Sequence, residues 1–501
     1  MKYNNTTIHD LKRTLVILTS ILFTLGIFAQ EEDIVLDSLI EMQIDSLLHP
    51  EVDTLNMTPE QRWVYHFQQR LDSVVNRRRF ARVSSRVSSR SRRRVTRTVE
   101  YKYTLGCLVY DLSADSVIYS YNAQRMMKPA STQKLFVATT ALSTLGMDYT
   151  FDTNVTTDGE MMTDSLGRRY FKGDIYVEGG FDPSLTFSDV RAIADTIHSM
   201  GADSIDGRIL ALVPLKPHLL RQHQWTWDNV PASEEYFITP LTYNKGLTDS
   251  HVPRDPVMVT VGRGRRAKRV MQVPTFKQSR IKHPEQYFVS SIYQLLKADS
   301  IRFSSSRPYD VVMADSIASR RKHLMTISSP MDKVLPTMMK RSDNFYAESM
   351  LLSLSRQKQP EVWTYDACKD AVRRMILRTE GNPDHYLIYD GSGLSHSNRS
   401  TPELEVEVLK YAFRAAEIYQ PLYESLPIAG IDGTLSSRMK SSRAYQNVRA
   451  KTGTINGVST LAGYLTASNG HELAFSIMVG DLSASSIGKG IEDEICIEMA
   501  K

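Results

Sequence analysis

Apolar and polar positions alternate with period two from Tyr101 to Tyr121. They predict two strands, Tyr103-Leu105-Cys107-Val109 and Val117-Tyr119-Tyr121, around the polar turn Ser113-Ala114-Asp115-Ser116. Pro129 interrupts the pattern, and a helix is expected from near Ser131, with Leu135, Ala138, Leu142 and Leu145 at helical spacing and Gly146 as its stop. Helical runs also surround Met338-Met339 and Met350-Leu351. Strands are expected over Val448–Thr454, Leu461–Thr466 and Glu472–Val479, the last two joined through the hairpin signal Asn469-Gly470. Near the start, Thr58 to Asn76 predicts a helix with Pro59 in its first turn and Trp63, Phe67, Leu71 and Val74-Val75 on one face.

The length, 501 residues, suits about two to four domains with ample core. Hydrophobic and charged fractions of 42% and 23% are those of an ordinary globular protein. The 3 cysteines, Cys107, Cys368 and Cys496, cannot all pair and have no metal-ligand spacing; Cys107 falls in a strand as a small buried apolar residue. There is no His-Glu-x-x-His pattern, so neither a metal nor a cofactor is expected. Gly262-Arg263-Gly264 reads as a hairpin turn after a Val257–Val261 strand rather than a phosphate loop, and His396 as a loop histidine rather than a triad member.

Three short motifs carry chemistry. Ser131-Thr132-Gln133-Lys134, Ser342-Asp343-Asn344 and Lys451-Thr452-Gly453 stand in the order S-x-x-K, S-x-N, K-T-G, the set that builds a serine acyl-transfer site. Alone, Ser131 would be only a helix N-cap and Ser342-Asp343-Asn344 only a capping turn. Together they are coherent. Ser131 falls at a helix N-terminus, where free N–H groups favour developing negative charge. Lys134 follows one turn later on the same face. A strand ending in Lys, Thr and Gly admits close approach by a peptide backbone. Ser131 and Ser342 stand 211 residues apart, which leaves room for an insertion and is too long for a compact β-lactamase.

The run Lys128-Pro129-Ala130-Ser131-Thr132-Gln133-Lys134-Leu135 resembles the nucleophile segment of the class C low-molecular-mass penicillin-binding proteins, D-alanyl-D-alanine carboxypeptidases/endopeptidases. Segments 173–185, Trp225-Thr226-Trp227-Asp228, Asp390-Gly391-Ser392-Gly393-Leu394-Ser395 and 426–435 resemble that family too, so the likeness runs from about Tyr101 to about Gly480. Phe181 departs from it, at a position where a smaller residue is expected. The resemblance implies a mixed α/β fold: a transpeptidase domain of β-lactamase type, an antiparallel sheet flanked by helices, with an inserted region of one or two smaller domains. The expected division is 98–150 with 320–501 for catalysis and 151–319 for the insertion. By the same likeness, Ser131 attacks the carbonyl between two D-alanines, Lys134 takes its proton with its amine kept neutral by the Lys451 charge, and Ser342 relays a proton to the leaving amine. Asn344 holds the substrate backbone, Lys451, Thr452 and Thr454 the terminal carboxylate. Gly453 lets the strand come close, and the N–H groups of Ser131 and Thr454 form the oxyanion hole. Peptidoglycan stem peptides are the implied substrates and β-lactams the implied covalent inhibitors. A secreted β-lactamase and a catalytically weak wall-binding protein are the rival readings. The first needs a deacylating Glu four residues before an Asn, and Glu380-Gly381-Asn382-Pro383 has the wrong spacing.

The N-terminus reads as an address. Lys2, Lys12 and Arg13 precede an apolar run from Leu15 to Phe28, with Ala29 suited to cleavage, so 1–29 is expected to be a signal peptide directing export to the periplasm or envelope. In the 30–97 extension, Glu31–Asp53 is acidic without Lys or Arg, and Arg77 to Arg97 holds ten arginines and no acid. The formal net charge is +5, so the remainder of the chain carries −5 and the basicity is local. This run reads as a solvated linker, with an anionic envelope surface as its functional alternative; nucleic acid is not expected of an exported chain.

Overall fold

The computed structural model describes residues 54–86, 94–213, 237–248, 257–261, 268–272, 279–314, 320–357 and 365–501. The expected signal peptide, the acidic stretch, the Trp225–Asp228 segment and the turn at 262–264 lie outside them. The chain divides after Tyr65. In the first unit, Thr54–Asn56 forms a short 3-10 turn and helix α1 (Pro59–Val75) begins. Its start is capped reciprocally: Thr58 N–H donates to Gln61 Oε1 (3.0 Å) and Gln61 N–H to Thr58 Oγ1 (3.1 Å).

In the second unit, Phe67, Leu71, Val74 and Val75 of α1 are buried, as the periodicity predicts. Strands β1 (Phe80–Arg86) and β2 (Arg94–Glu100) pair antiparallel, with Phe80 opposite Glu100 and Arg86 opposite Arg94. This departs from the linker reading of the Arg/Ser run. Val83, Val95, Thr96, Thr98 and Val99 supply strand propensity that composition alone hides. Arg77 and Arg79, before β1, pair with Glu494 at 3.1 and 2.8 Å.

Strands β3 (Thr104–Asp111) and β4 (Ser116–Tyr121) form the predicted hairpin. A 3-10 turn, Ala130–Thr132, leads into α2 (Gln133–Thr144), which ends before Gly146 at φ +79. The polypeptide then leaves this domain through β5 (Thr150–Thr157), β6 (Glu160–Thr163), β7 (Arg169–Lys172), β8 (Ile175–Glu178), α3 (Phe187–Ser199), β9 (Ser204–Asp206) and β10 (Ile209–Val213). It continues through β11 (Val257–Val261), β12 (Lys268–Gln272), α4 (Pro284–Ala298), β13 (Arg302–Phe303), β14 (Tyr309–Met313) and β15 (Lys322–Pro330). It returns with α5 (Met331–Lys340), α6 (Asn344–Ser353), α7 (Tyr365–Ile376), α8 (Pro402–Phe413) and α9 (Ala416–Ser425). Strands β16 (Arg449–Ile455), β17 (Val458–Thr466) and β18 (Glu472–Gly480) precede the last helix, α10 (Ser485–Met499).

Both ends of the described chain build one antiparallel sheet, ordered β16-β17-β18-β3-β4. β17 and β18 are buried nearly throughout, which explains why they read as apolar runs rather than clean alternations. Helix α2 has Leu135, Phe136, Val137, Ala138, Ala141 and Leu142 buried, because α6, α8, α9 and the sheet enclose it. Burial of each large apolar side chain contributes about 1.5–3 kcal/mol, so this helix is a firm support for whatever its N-terminus presents.

The inserted region has its own core. Its main sheet is ordered β14-β10-β8-β5-β15, with β14, β10 and β8 parallel and β5 and β15 antiparallel. Val177, Ile193, Ile197, Ala211, Phe288 and Ile292 form the core between that sheet and helices α3 and α4. β15 pairs along its length with β5, so this sheet extends to residue 330, beyond the 151–319 stretch expected from sequence. Phe181 is buried at φ +61, the left-handed region that favours glycine, which accounts for the expectation of a smaller residue there. All three cysteines are free and buried. Among the described residues no helix is long and apolar enough to cross a membrane.

Candidate active site

The three motifs converge from three kinds of local structure. Ser131 sits in the 3-10 turn before α2, a turn that requires Ala130 at φ +48. Ser342 lies between α5 and α6 at φ +56, a conformation that costs a non-glycine residue energy and that the surroundings must enforce. Asp343 caps α6, accepting the Tyr346 N–H at 3.2 Å. Lys451, Thr452, Gly453 and Thr454 lie on β16, the edge strand of the sheet. An added Cβ on Gly453 would meet Thr460 Oγ1 at 2.1 Å, and Pro129 O and Ser131 N at 2.8 Å each. Only glycine lets the strand and the nucleophile turn come this close.

Lys134 is fully buried, and its Nζ lies 2.9 Å from Ser131 Oγ, 2.8 Å from Asn344 Oδ1 and 2.6 Å from the Ser392 carbonyl oxygen. The two carbonyl oxygens can only accept. A neutral amine that gives its two hydrogens to them turns its lone pair toward the Ser131 hydroxyl. That is the geometry of a general base. Lys451, also fully buried, donates to Ser342 Oγ and to the Thr452 carbonyl, each at 2.7 Å. Burial is the main cause that pushes the Lys451 amine well below its ordinary value, and a proton on Lys134 would push it further. Thr452 Oγ1 donates to Thr434 Oγ1 at 2.7 Å, which ties the 426–435 segment to the strand.

Sequence reading missed the role of the 390–398 loop. Besides holding Lys134, the Ser392 carbonyl oxygen lies 3.2 Å from Ser131 Oγ. Ser392 N–H donates to the buried Glu348 at 2.7 Å, while Asp390 accepts from Gly393 N–H, Ser395 N–H and Asn398 Nδ2 at 2.7–2.8 Å. Burial, with the Asp390 charge second, pushes the Glu348 carboxyl up to about 8. Gly393, at φ +85, packs its Cα against the Ala130 carbonyl. The Asp390-Gly391-Ser392-Gly393 run was the available signal. His396 lies with Nδ1 3.3 Å from Lys128 Nζ. Lys245, from the inserted region, pairs with Asp343 and stands over the Tyr346 ring at 5.2 Å. Glu380 is exposed and bound to Lys410 and Arg414, so it does not occupy the place of a deacylating base. Among the described residues no cluster could hold a metal ion.

Comparison with known proteins agrees with this geometry. The D-Ala-D-Ala carboxypeptidase 3 (S13) family matches residues 98–275 and 263–498. The chain is 25% identical over 426 residues to a D-alanyl-D-alanine carboxypeptidase DacB of Haemophilus influenzae, covering 76% of this chain and 86% of that one. It is 26% identical over 449 residues to a D-alanyl-D-alanine carboxypeptidase of Actinomadura sp., covering 79% and 81%. The crystal structure of penicillin binding protein 4 from Haemophilus influenzae superposes with a TM-score of 0.64 at 22% identity, over 78% of this chain and 95% of that one. With its serine, lysine and K-T-G strand assembled in that fold, the chain belongs to the S13 D-Ala-D-Ala carboxypeptidase family, the class C penicillin-binding proteins, and is a serine-type peptidase.

Proposed function

We propose that the protein is an exported serine D-Ala-D-Ala carboxypeptidase with endopeptidase activity, which trims peptidoglycan peptides through an acyl-enzyme on Ser131. The observation that carries this reading is Lys134 Nζ, held between two carbonyl acceptors at 2.8 and 2.6 Å and 2.9 Å from Ser131 Oγ. Ser131 Oγ attacks the carbonyl between the two D-alanines as its proton passes to Lys134. The tetrahedral oxyanion takes the N–H groups of Ser131 and Thr454. The C–N bond breaks, and a proton reaches the leaving amine through Ser342. Asn344 holds the backbone of the acyl portion. Lys451, Thr452 and Thr454 receive the terminal carboxylate, whose charge favours the protonated Lys451 amine against its depression, chiefly by burial. Water then releases the acyl group from Ser131.

The export signal read in 1–29 supports a site of action at the cell wall, and the ten arginines of 77–97 suit an anionic envelope polymer. Digestion of purified peptidoglycan, with products identified by mass, tests the reading. Pentapeptides shortened by one D-alanine establish the carboxypeptidase, and cross-linked dimers converted to monomers the endopeptidase. Intact muropeptides after prolonged digestion would overturn both. The envelope contact predicts retention on wall sacculi that is lost as salt rises, because counterion release and screening govern such binding.

A further inference from the structure

Beneath the nucleophile turn lies a carboxyl group that the acyl-transfer steps leave unused. Glu405, on α8, is 0% exposed. Its Oε1 meets Thr132 Oγ1, and its Oε2 lies 2.6 Å from Ser476 Oγ on β18. Thr132 directly follows Ser131, so one side chain joins the nucleophile turn to a sheet strand and to α8. The Pro129 carbonyl completes the arrangement: it accepts from Thr132 Oγ1 at 2.7 Å and from Thr460 Oγ1 on β17 at 2.8 Å.

Counting hydrogens decides the state of this group. A hydroxyl has one hydrogen, and a carbonyl oxygen has none. With Glu405 ionised, the single Thr132 hydrogen would have to serve both the carboxylate and Pro129 O, and one close contact would contain no hydrogen. With Glu405 protonated, every contact has one. The Glu405 O–H donates to Thr132 Oγ1, Thr132 O–H to Pro129 O, and Ser476 O–H to Glu405 Oε2. We propose that Glu405 is a positioning residue for the acyl-transfer reaction: as a neutral carboxylic acid it donates to Thr132 and, through the Thr132–Pro129 bond, fixes the turn that presents Ser131 Oγ and the Ser131 N–H. This rests on Ser131 as the nucleophile.

The surroundings agree. Burial raises the Glu405 carboxyl from 4.5 to about 7, and only the Ser476 and Thr132 hydroxyls pull the other way. Tyr386, whose phenol meets Gln133, is pushed well above its ordinary value, chiefly by burial, and stays neutral. The titratable groups on neighbouring elements have partners of their own. Lys134 is held at Ser131, Asn344 and Ser392; Lys410 and Glu407 pair on α8; Glu472 accepts from Thr466; Asp111 pairs with His471.

The test compares Glu405→Gln with Glu405→Ala, using the acylation rate with a fluorescent penicillin and D-alanine release from a small peptide. Glutamine keeps the donor and the acceptor and cannot ionise. Glu405→Gln is expected within about twofold of the parent near pH 6, and its rate relative to the parent should climb as pH rises through about 7 and the parent acid ionises. Glu405→Ala is expected to lose about tenfold or more in kcat with KM little changed, because a displaced nucleophile weakens the transition state rather than binding. Glu405→Gln as impaired as Glu405→Ala near pH 6, or Glu405→Ala at full rate, would overturn the proposal. Should Glu405→Ala not fold, Thr132→Ser and Thr132→Val replace it: the serine is expected near the parent rate and the valine at the same loss, and equal rates refute the idea. Ser131→Ala runs alongside. Labelling that persists there refutes the nucleophile assignment, whereas its loss beside a full-rate Glu405→Ala refutes the positioning role alone.

Discussion

Lys245 pairs through Nζ with the carboxylate of Asp343, the middle residue of the Ser342-Asp343-Asn344 loop. This contact brings the inserted region onto the catalytic motif itself. Asn244, Lys245 and Gly246 have φ of +47, +54 and +66, so the backbone there is held in a conformation that two of the three residues disfavour. Asp343 in turn caps α6 and adjoins Ser342, whose own φ is +56. The contact therefore bears on the site more than on stability.

Lys245→Ala is expected to lower D-alanine release several-fold while the thermal midpoint shifts by only a few degrees, since a half-exposed ion pair is worth about 0.2–1 kcal/mol. Steady-state kinetics and a thermal melt on the same preparation check this. A large loss of stability with kinetics unchanged would assign the pair to folding instead.

Ser131→Ala is expected to abolish labelling by a β-lactam, and Lys134→Ala to slow acylation by about three or more orders of magnitude, as loss of an activating base does elsewhere. The parent should take one label, and Glu380, engaged by Lys410 and Arg414, gives no base for rapid release of that adduct. Mass spectrometry of the intact protein over time measures both. Rapid multiple turnover of penicillin would count against the peptidase reading.

Gly393→Ala is expected to cost more activity than an ordinary loop change. An added Cβ would meet the Ala130 carbonyl oxygen at 1.8 Å, and the backbone there has φ +85. Relief requires the loop to withdraw, which moves the Ser392 carbonyl away from Lys134. We expect at least about a hundredfold loss of acylation, the scale that an ångström-size misplacement brings. A structure of the variant with the Ser392–Lys134 contact intact and full activity would refute this.

The buried carboxyls should make stability fall as pH rises from about 5 to about 9, against the opposite contribution of the depressed Lys451 amine. Burial is the main cause that raises Glu348 from 4.5 to about 8, and Glu405 and Glu492 from 4.5 to about 7. Between the unfolded and folded values the folded chain binds more protons, so the stabilisation is full below about 4.5 and is lost as pH passes through 7 to 8. Glu405→Gln should flatten part of the carboxyl-driven slope. Urea unfolding of the parent and Glu405→Gln at several pH values measures it; equal slopes for the two would contradict the assignment.

Local pattern was enough to find most of the catalytic framework. The alternation around Ser113–Ser116, the helical spacing from Leu135 to Leu145 and the Asn469-Gly470 signal depend on neighbours in sequence, and β3, β4, α2, β17 and β18 follow them. So do the motifs, because S-x-x-K runs from one 3-10 turn straight into the helix that follows it and K-T-G lies within one strand. The Arg/Ser run misled, since composition hid the strand-forming valines and threonines that pair in β1 and β2. Tertiary structure alone decided which groups from distant parts of the chain share a site. Ser392 meets Lys134 across 258 residues, Glu405 meets Thr132 across 273, and Lys245 meets Asp343 across 98. No periodicity encodes such pairs, because they arise when separate elements pack and their buried polar groups must find partners.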